Sequence, residues 1–234
     1  MGVASYSGAS SVIKPGVVTT ATRPSSPFVG QMIYDTTVSQ VLVYNGTAWA
    51  VQSPGLAPII PTSVAVGSGT GSVGATGLIT FSGVSSVSIN GCFTSAYTNY
   101  RVVARYTNAS TLSALYCRLR ASGTNATNNY DTTGFRSFNT LAVESNGYNT
   151  DVQQYANTNN VAGAYNGGIF DFFGPAETLS TNFMASHSAT EAGTAAVNWF
   201  SAWYNDNQTS YDGFTITVAS STLSGTLMVY GYSK

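Results

Sequence analysis

Along much of the chain, apolar and polar residues alternate with a period of two. Tyr100, Val102, Ala104 and Tyr106 interleave with Arg101, Val103 and Arg105, and Leu115, Cys117 and Leu119 interleave with Tyr116, Arg118 and Arg120. That period puts one set on each face of a pleated strand. Runs rich in β-branched and aromatic residues predict further strands at Leu78 to Phe81, Val84 to Ile89, Gly168 to Phe173, Phe183 to His187, Ala195 to Tyr204, Phe214 to Val218 and Thr226 to Tyr232. About eight or nine strands separated by turn-rich loops predict an all-β chain whose main body is a jelly-roll-like β-sandwich. In AVNWFSAWYN, Trp199, Ser201 and Trp203 fall on one face and Phe200, Ala202 and Tyr204 on the other. The tryptophan face reads as sandwich core or subunit interface.

The pattern changes over residues 53–77, where Pro54, Pro58 and Pro61 are followed by VGSGTGSVGATG. This stretch reads as a linker, stiff in its first part and flexible in its second. It separates a sandwich head over 78–234 from a small β-hairpin module over 23–52, with residues 1–22 as a leading peptide. In the module, strands are predicted at Gly30 to Tyr34, Gln40 to Tyr44 and Thr47 to Val51, with Asn45-Gly46 as the turn between the last two. Three short strands bury too little to stand alone, so the module needs copies of itself or a surface to dock on.

Composition narrows the partners. Of the 234 residues, eight are Lys or Arg and nine Asp or Glu, for a net charge of −1, whereas Ser, Thr and Asn number 30, 30 and 18. With no basic cluster of the size that phosphate contacts require, nucleic acid is not an expected partner. No stretch has the length of a membrane span, and MGVASYSGASS has neither a basic nor an apolar leader region, so membrane insertion and export by a signal peptide are not expected. Cys92 and Cys117 then read as reduced thiols.

Catalytic chemistry finds few residues to work with. His187, the single histidine, lies in the strand-like FMASHSAT, and no G-x-S-x-G elbow accompanies it, so it reads as a packed or surface strand residue. Glycoside hydrolysis needs two carboxyl groups. The sequence-near pairs Asp171 with Glu177 and Asp206 with Asp212 sit beside turn formers and read as caps and turns. Asn205, Asp206, Asn207 and Asp212 could offer oxygen to calcium, but not at EF-hand spacing. No catalytic residue, metal site or cofactor is expected.

Two regions read as contact surfaces. The segment from Ser122 to Gly168 combines Tyr, Asn, Ser, Thr and Gly, as antibody paratopes do, because tyrosine gives contact area at low entropic cost and amides adapt their hydrogen bonds. Tyr130, Phe135, Tyr148, Tyr155 and Tyr165 are its candidates for contact with a glycan, against a plain reading as loops packed by their own aromatics. Arg101, Arg105, Arg118 and Arg120 would form one basic patch if their two strands paired, against a plain reading as separately paired or stacked arginines.

The segment RPSSPFVGQMIYDTTVSQVLVYNGTAWA, Arg23 to Ala50, resembles a short module of tail-fibre and minor structural proteins of tailed bacteriophages. The shared skeleton is R-P, P-x-x-G-Q-x-I-Y-[DE]-T and a hairpin V-Y-[ND]-G-x-x-W. Here it is matched by Pro24, Pro27, Gly30, Gln31, Ile33, Tyr34, Asp35, Thr36, Val43, Tyr44, Asn45, Gly46 and Trp49. The likeness covers about 28 residues. SINGCFTSAYTNYRVVARY, LYCRLRASG and the ending GTLMVYGYSK look more loosely like β-rich fibre or decoration proteins. The resemblance implies a virion structural protein, assembled in the host cytoplasm. Its N-terminal segment would dock onto other virion proteins, Tyr34, Tyr44, Asn45, Gly46 and Trp49 would serve docking or oligomerisation, and a homotrimer is expected. A capsid decoration protein without a receptor role, a carbohydrate-binding adhesin and a polysaccharide-degrading spike remain alternatives.

Overall fold

The computed structural model describes residues 15–51, 55–111, 114–138, 143–149, 154–156, 161–190 and 196–232. The chain is all-β and forms two compact units, Met1–Pro54 and Gly55–Lys234.

The first unit is a four-stranded sheet of β1 (Gly16–Val18), β2 (Met32–Asp35), β3 (Gln40–Tyr44) and β4 (Trp49–Val51), in that order. Part of the leading peptide therefore belongs to the module itself: β1 lies parallel to β2, with Gly16 opposite Ile33. The hairpin is also wider than Asn45-Gly46 suggested. Asn45 Oδ1 accepts the N–H groups of Thr47 at 2.9 Å and Ala48 at 2.8 Å, which closes a four-residue loop and starts β4 at Trp49 instead of Thr47. Among the described residues, only Ile33 and Leu42 are buried apolar side chains of this unit. Asp35 is buried with them. Burial pushes its pKa up, but hydrogen bonds from Arg23 Nε (2.7 Å), Thr37 N–H (2.8 Å) and the Thr20 hydroxyl (3.0 Å) outweigh that and hold the carboxyl below the usual range.

The second unit is a sandwich of two sheets. Its strands are β5 (Leu56–Ile59), β6 (Ser63–Val66), β7 (Thr70–Val73), β8 (Ile79–Val84), β9 (Ser86–Asn90), β10 (Asn99–Asn108), β11 (Leu115–Ala121), β12 (Thr124–Asn125), β13 (Tyr130–Phe138), β14 (Val143–Asn149), β15 (Gln154–Ala156), β16 (Asn166–Phe173), β17 (Thr181–Ala189), β18 (Val197–Asn205), β19 (Gly213–Val218) and β20 (Leu223–Tyr232). A ten-stranded sheet runs β14-β13-β18-β17-β16-β10-β20-β8-β7, with β5 also on β20. A six-stranded sheet runs β12-β11-β19-β9-β6, with β15 on β11. Alternate side chains of both sheets meet in an aromatic core. Phe172 of β16 lies 5.0 Å from Phe183 of β17 and 5.2 Å from Phe214 of the facing sheet, and Trp203 of β18 stacks on Phe183 at 4.5 Å. Cys92 and Cys117 are buried in this core as free thiols, and burial raises both pKa values.

Three features differ from the sequence pattern. Residues 55–77 do not form a linker, because the stretch is built into the sandwich through β5, β6 and β7. Its glycines answer to crowding: a Cβ on Gly69 (φ +67°) would meet Ser82 O at 2.0 Å, and one on Gly77 (φ +85°) would meet Ile59 O at 2.3 Å. Pro58 is accommodated because β5 pairs on one side alone, with β20. The apolar run Val84 to Ile89 is not one strand, since the chain breaks at Ser85 and passes from the ten-stranded sheet to the six-stranded one. Within Ser122 to Gly168, much of what resembled loop is strand, namely β12 to β15 and the start of β16.

Candidate functional site

The five aromatic contact candidates do not form one surface. Tyr130 is 2% exposed; its hydroxyl accepts the Leu119 N–H at 3.0 Å and its ring meets Trp203 edge-on at 5.2 Å, so it is a core residue. Burial raises its pKa. Phe135 is open on β13 and stacks on Phe200 at 5.1 Å. Tyr165 is also open, but it lies before β16, with the Arg105 guanidinium 3.8 Å from its ring centre. The side chains of Tyr148 and Tyr155 lie outside those described.

The basic patch is absent because its two strands never pair: β10 belongs to the ten-stranded sheet and β11 to the six-stranded one. Arg101 makes a two-pronged bond to Asp171, at 2.8 and 2.7 Å, and the Tyr232 hydroxyl donates to the same carboxylate at 2.8 Å. Burial pushes the Asp171 pKa up, and these bonds more than reverse it. Arg105 is engaged with Tyr165. Arg118 is half-buried on the outward side of β11. Arg120 is buried; it donates to Asn90 Oδ1 (2.9 Å), Asn125 Oδ1 (2.5 Å), Thr215 Oγ1 (3.0 Å) and the Gly123 carbonyl.

The acids and the histidine are likewise engaged separately. Asp206 accepts the Ser180 hydroxyl at 2.7 Å and Asp212 the Ser122 N–H at 3.0 Å, while Asn205 and Asn207 bond to Asn128. Glu177 sits in the turn after Gly174. His187 is 1% exposed, stacked on Tyr106 and hydrogen-bonded to its hydroxyl through Nε2, and burial lowers its pKa to about 4. Among the described residues, no group of three or more His, Cys, Asp or Glu is placed to hold a metal ion.

In the first unit, Tyr44 and Trp49 are cross-strand neighbours with rings 5.5 Å apart, and Asn45 and Gly46 form the loop beyond them. Tyr34 lies on the opposite face with Val17, Met32 and Val41, by strand alternation. Val17 is 60% exposed and Met32 48%.

The surface that the sequence did not single out is the outer side of β13, β18, β17 and β16. Pairing aligns Asp131, Tyr204, Asn182 and Phe173 in one row across these four strands. A second row holds Thr133, Ala202, Met184 and Asp171, and a third holds Phe135, Phe200, Ser186 and Ile169. Ala202, set between Tyr204 and Phe200 on β18, leaves a depression of about 460 Å³ beside Tyr204, Phe173 and Met184. A second depression of about 300 Å³ lies beside Phe135 and Phe200, and the two share Thr133, Met184 and Ala202. The Tyr204 hydroxyl is bonded to Asp131, which raises its pKa. The alternation in AVNWFSAWYN carried the signal for one of the four strands of this surface, that of Phe200, Ala202 and Tyr204; their partners came from other segments.

The fold therefore defines an all-β protein with a sandwich body, a small hairpin module and an open aromatic face. No protein-family model and no curated protein matches the chain.

Proposed function

We propose that this chain is a structural protein of a tailed bacteriophage particle, of fibre or spike type, that assembles as a homotrimer and makes contacts without catalysis. The likeness of Arg23 to Ala50 to the phage module carries the reading. The matched residues also have defined work in the hairpin, which supports treating the segment as a module. Gly30 adopts φ +86° and donates its N–H to Tyr44 O at 2.8 Å, Ile33 is buried, Asp35 binds Arg23, and Tyr44 pairs with Trp49. The exposed Val17, Met32 and Val41 give this unit an apolar face that virion proteins or further copies of the chain would cover. Engagement of His187, Asp171, Asp206 and Asp212 within the fold favours binding over catalysis. Immunogold electron microscopy of particles with antibody to the full chain should label the tail or the capsid shell. Sedimentation of the full chain at micromolar concentration should give three times the monomer mass. Unlabelled particles would refute the virion role, and a monomer would refute the trimer.

A further inference from the structure

We propose that the outer row Asp131–Tyr204–Asn182–Phe173, with the depression beside it, is a binding site for a neutral oligosaccharide. Successive strands lie about 4.8 Å apart, so the four side chains span about 14 Å, the reach of a short oligosaccharide. The row alternates hydrogen-bonding groups with rings. Tyr204 and Phe173 are 41% and 36% exposed, so both offer ring surface against which the C–H face of a sugar can lie. The Asn182 side-chain amide, which makes no hydrogen bond among the described residues, offers a donor and an acceptor. On the far side of Tyr204, Asp131 presents carboxylate oxygens and Thr133 a hydroxyl. Ala202 supplies the floor because any larger side chain there would fill the depression, and Met184, 58% exposed, forms an adaptable wall.

The charge pattern selects the ligand. Asp131 has the Tyr204 hydroxyl as partner, and the nearby Arg101 is already held by Asp171. An acidic sugar would meet a carboxylate with no free guanidinium beside it in the depression, so the site favours uncharged hydroxyls. A purely lipidic ligand would strand the amide and the carboxylate at the rim.

This inference deepens the contact role proposed above, but it stands or fails separately. The test is saturation-transfer NMR and calorimetry of the full chain with neutral trisaccharides built from glucose, mannose, galactose and N-acetylglucosamine. At least one should bind with a Kd below about 10 mM. Tyr204→Ala and Asn182→Ala should each weaken it by about tenfold while leaving the melting temperature unchanged, since both side chains are exposed. Absence of binding by every probe would overturn the proposal, as would binding unaffected by the two substitutions. If instead the chain self-associates and Met184→Arg disperses it, the face belongs to a second copy and the saccharide site is refuted. Binding by a protein absent from phage particles would refute the virion role and leave this site standing.

Discussion

On the six-stranded sheet the outward positions include Ser88, Asn90, Thr215 and Arg120; on the ten-stranded sheet they include Phe135, Ile169, Phe173, Met184, Phe200 and Tyr204. The first set is closed upon itself. Ser88 and Thr215 share a hydroxyl bond of 2.9 Å, Thr215 donates to Asn125 Oδ1 at 2.7 Å, and Arg120 lies over them. All three of Ser88, Thr215 and Arg120 are buried although they point away from the core. The second set is left open, with Met184 at 58% exposure and Phe135 at 45%. Satisfied polar groups add to stability and leave nothing for a partner, whereas exposed apolar groups contribute little to the isolated fold and gain only when covered. The contrast assigns structural work to one outer face and contact to the other.

Strand β17 gives the largest expected effect, because it turns His187 inward and Met184 outward. His187 has a pKa of about 4 in the fold and about 6.5 unfolded, so between these values the unfolded chain takes up a proton that the native one does not. Stability should fall by about 3 kcal/mol as pH drops from 6.5 to 4, and level off below that as far as this group is concerned. Asp35 and Asp171, both held below the usual carboxylate range, weaken the fold only at still lower pH. Urea unfolding across this window should show the slope, and His187→Phe should flatten it; an unchanged slope would mean that the inner row is not closed to protons.

Arg120→Met should cost about 2 kcal/mol, because it takes the guanidinium donors from Asn90 Oδ1 and the Gly123 carbonyl and leaves Asn125 Oδ1 with the Thr215 hydroxyl alone. A midpoint equal to wild type would break the claim that this outer face is internally held. Ser88→Ala removes one buried hydroxyl bond and should lower stability by about 1 kcal/mol in the same assay. Met184→Ser and Phe200→Ser should change stability by less than about 0.5 kcal/mol while lowering retention on a hydrophobic-interaction column. A loss of several kcal/mol from either would show that the open face is part of the core after all.

Much of the fold was legible locally. Alternation at Tyr100 to Tyr106, Leu115 to Arg120 and Trp199 to Tyr204 marks strands because period two is a property of a single strand. Pairing is not local. Arg101 and Arg118 sit on strands that follow each other in sequence, yet those strands enter different sheets, so the expected patch does not exist. The glycine run around Gly69 to Gly77 resembled a linker because glycine serves both flexible chain and close backbone packing, and only the neighbours, Ser82 and Ile59, distinguish the two. Tyr130 carried the composition of a contact surface but turned inward to the Leu119 amide.

By itself the sequence determined the all-β class, the hairpin at Asn45, the division of AVNWFSAWYN into a tryptophan face and its opposite, and the low charge, since each follows from residue chemistry or from spacing within one segment. Tertiary structure alone decided which faces meet solvent and which side chains share a row. Asp131, Asn182, Tyr204 and Phe173 come from four separate strands, and only strand pairing in the folded sheet brings them side by side.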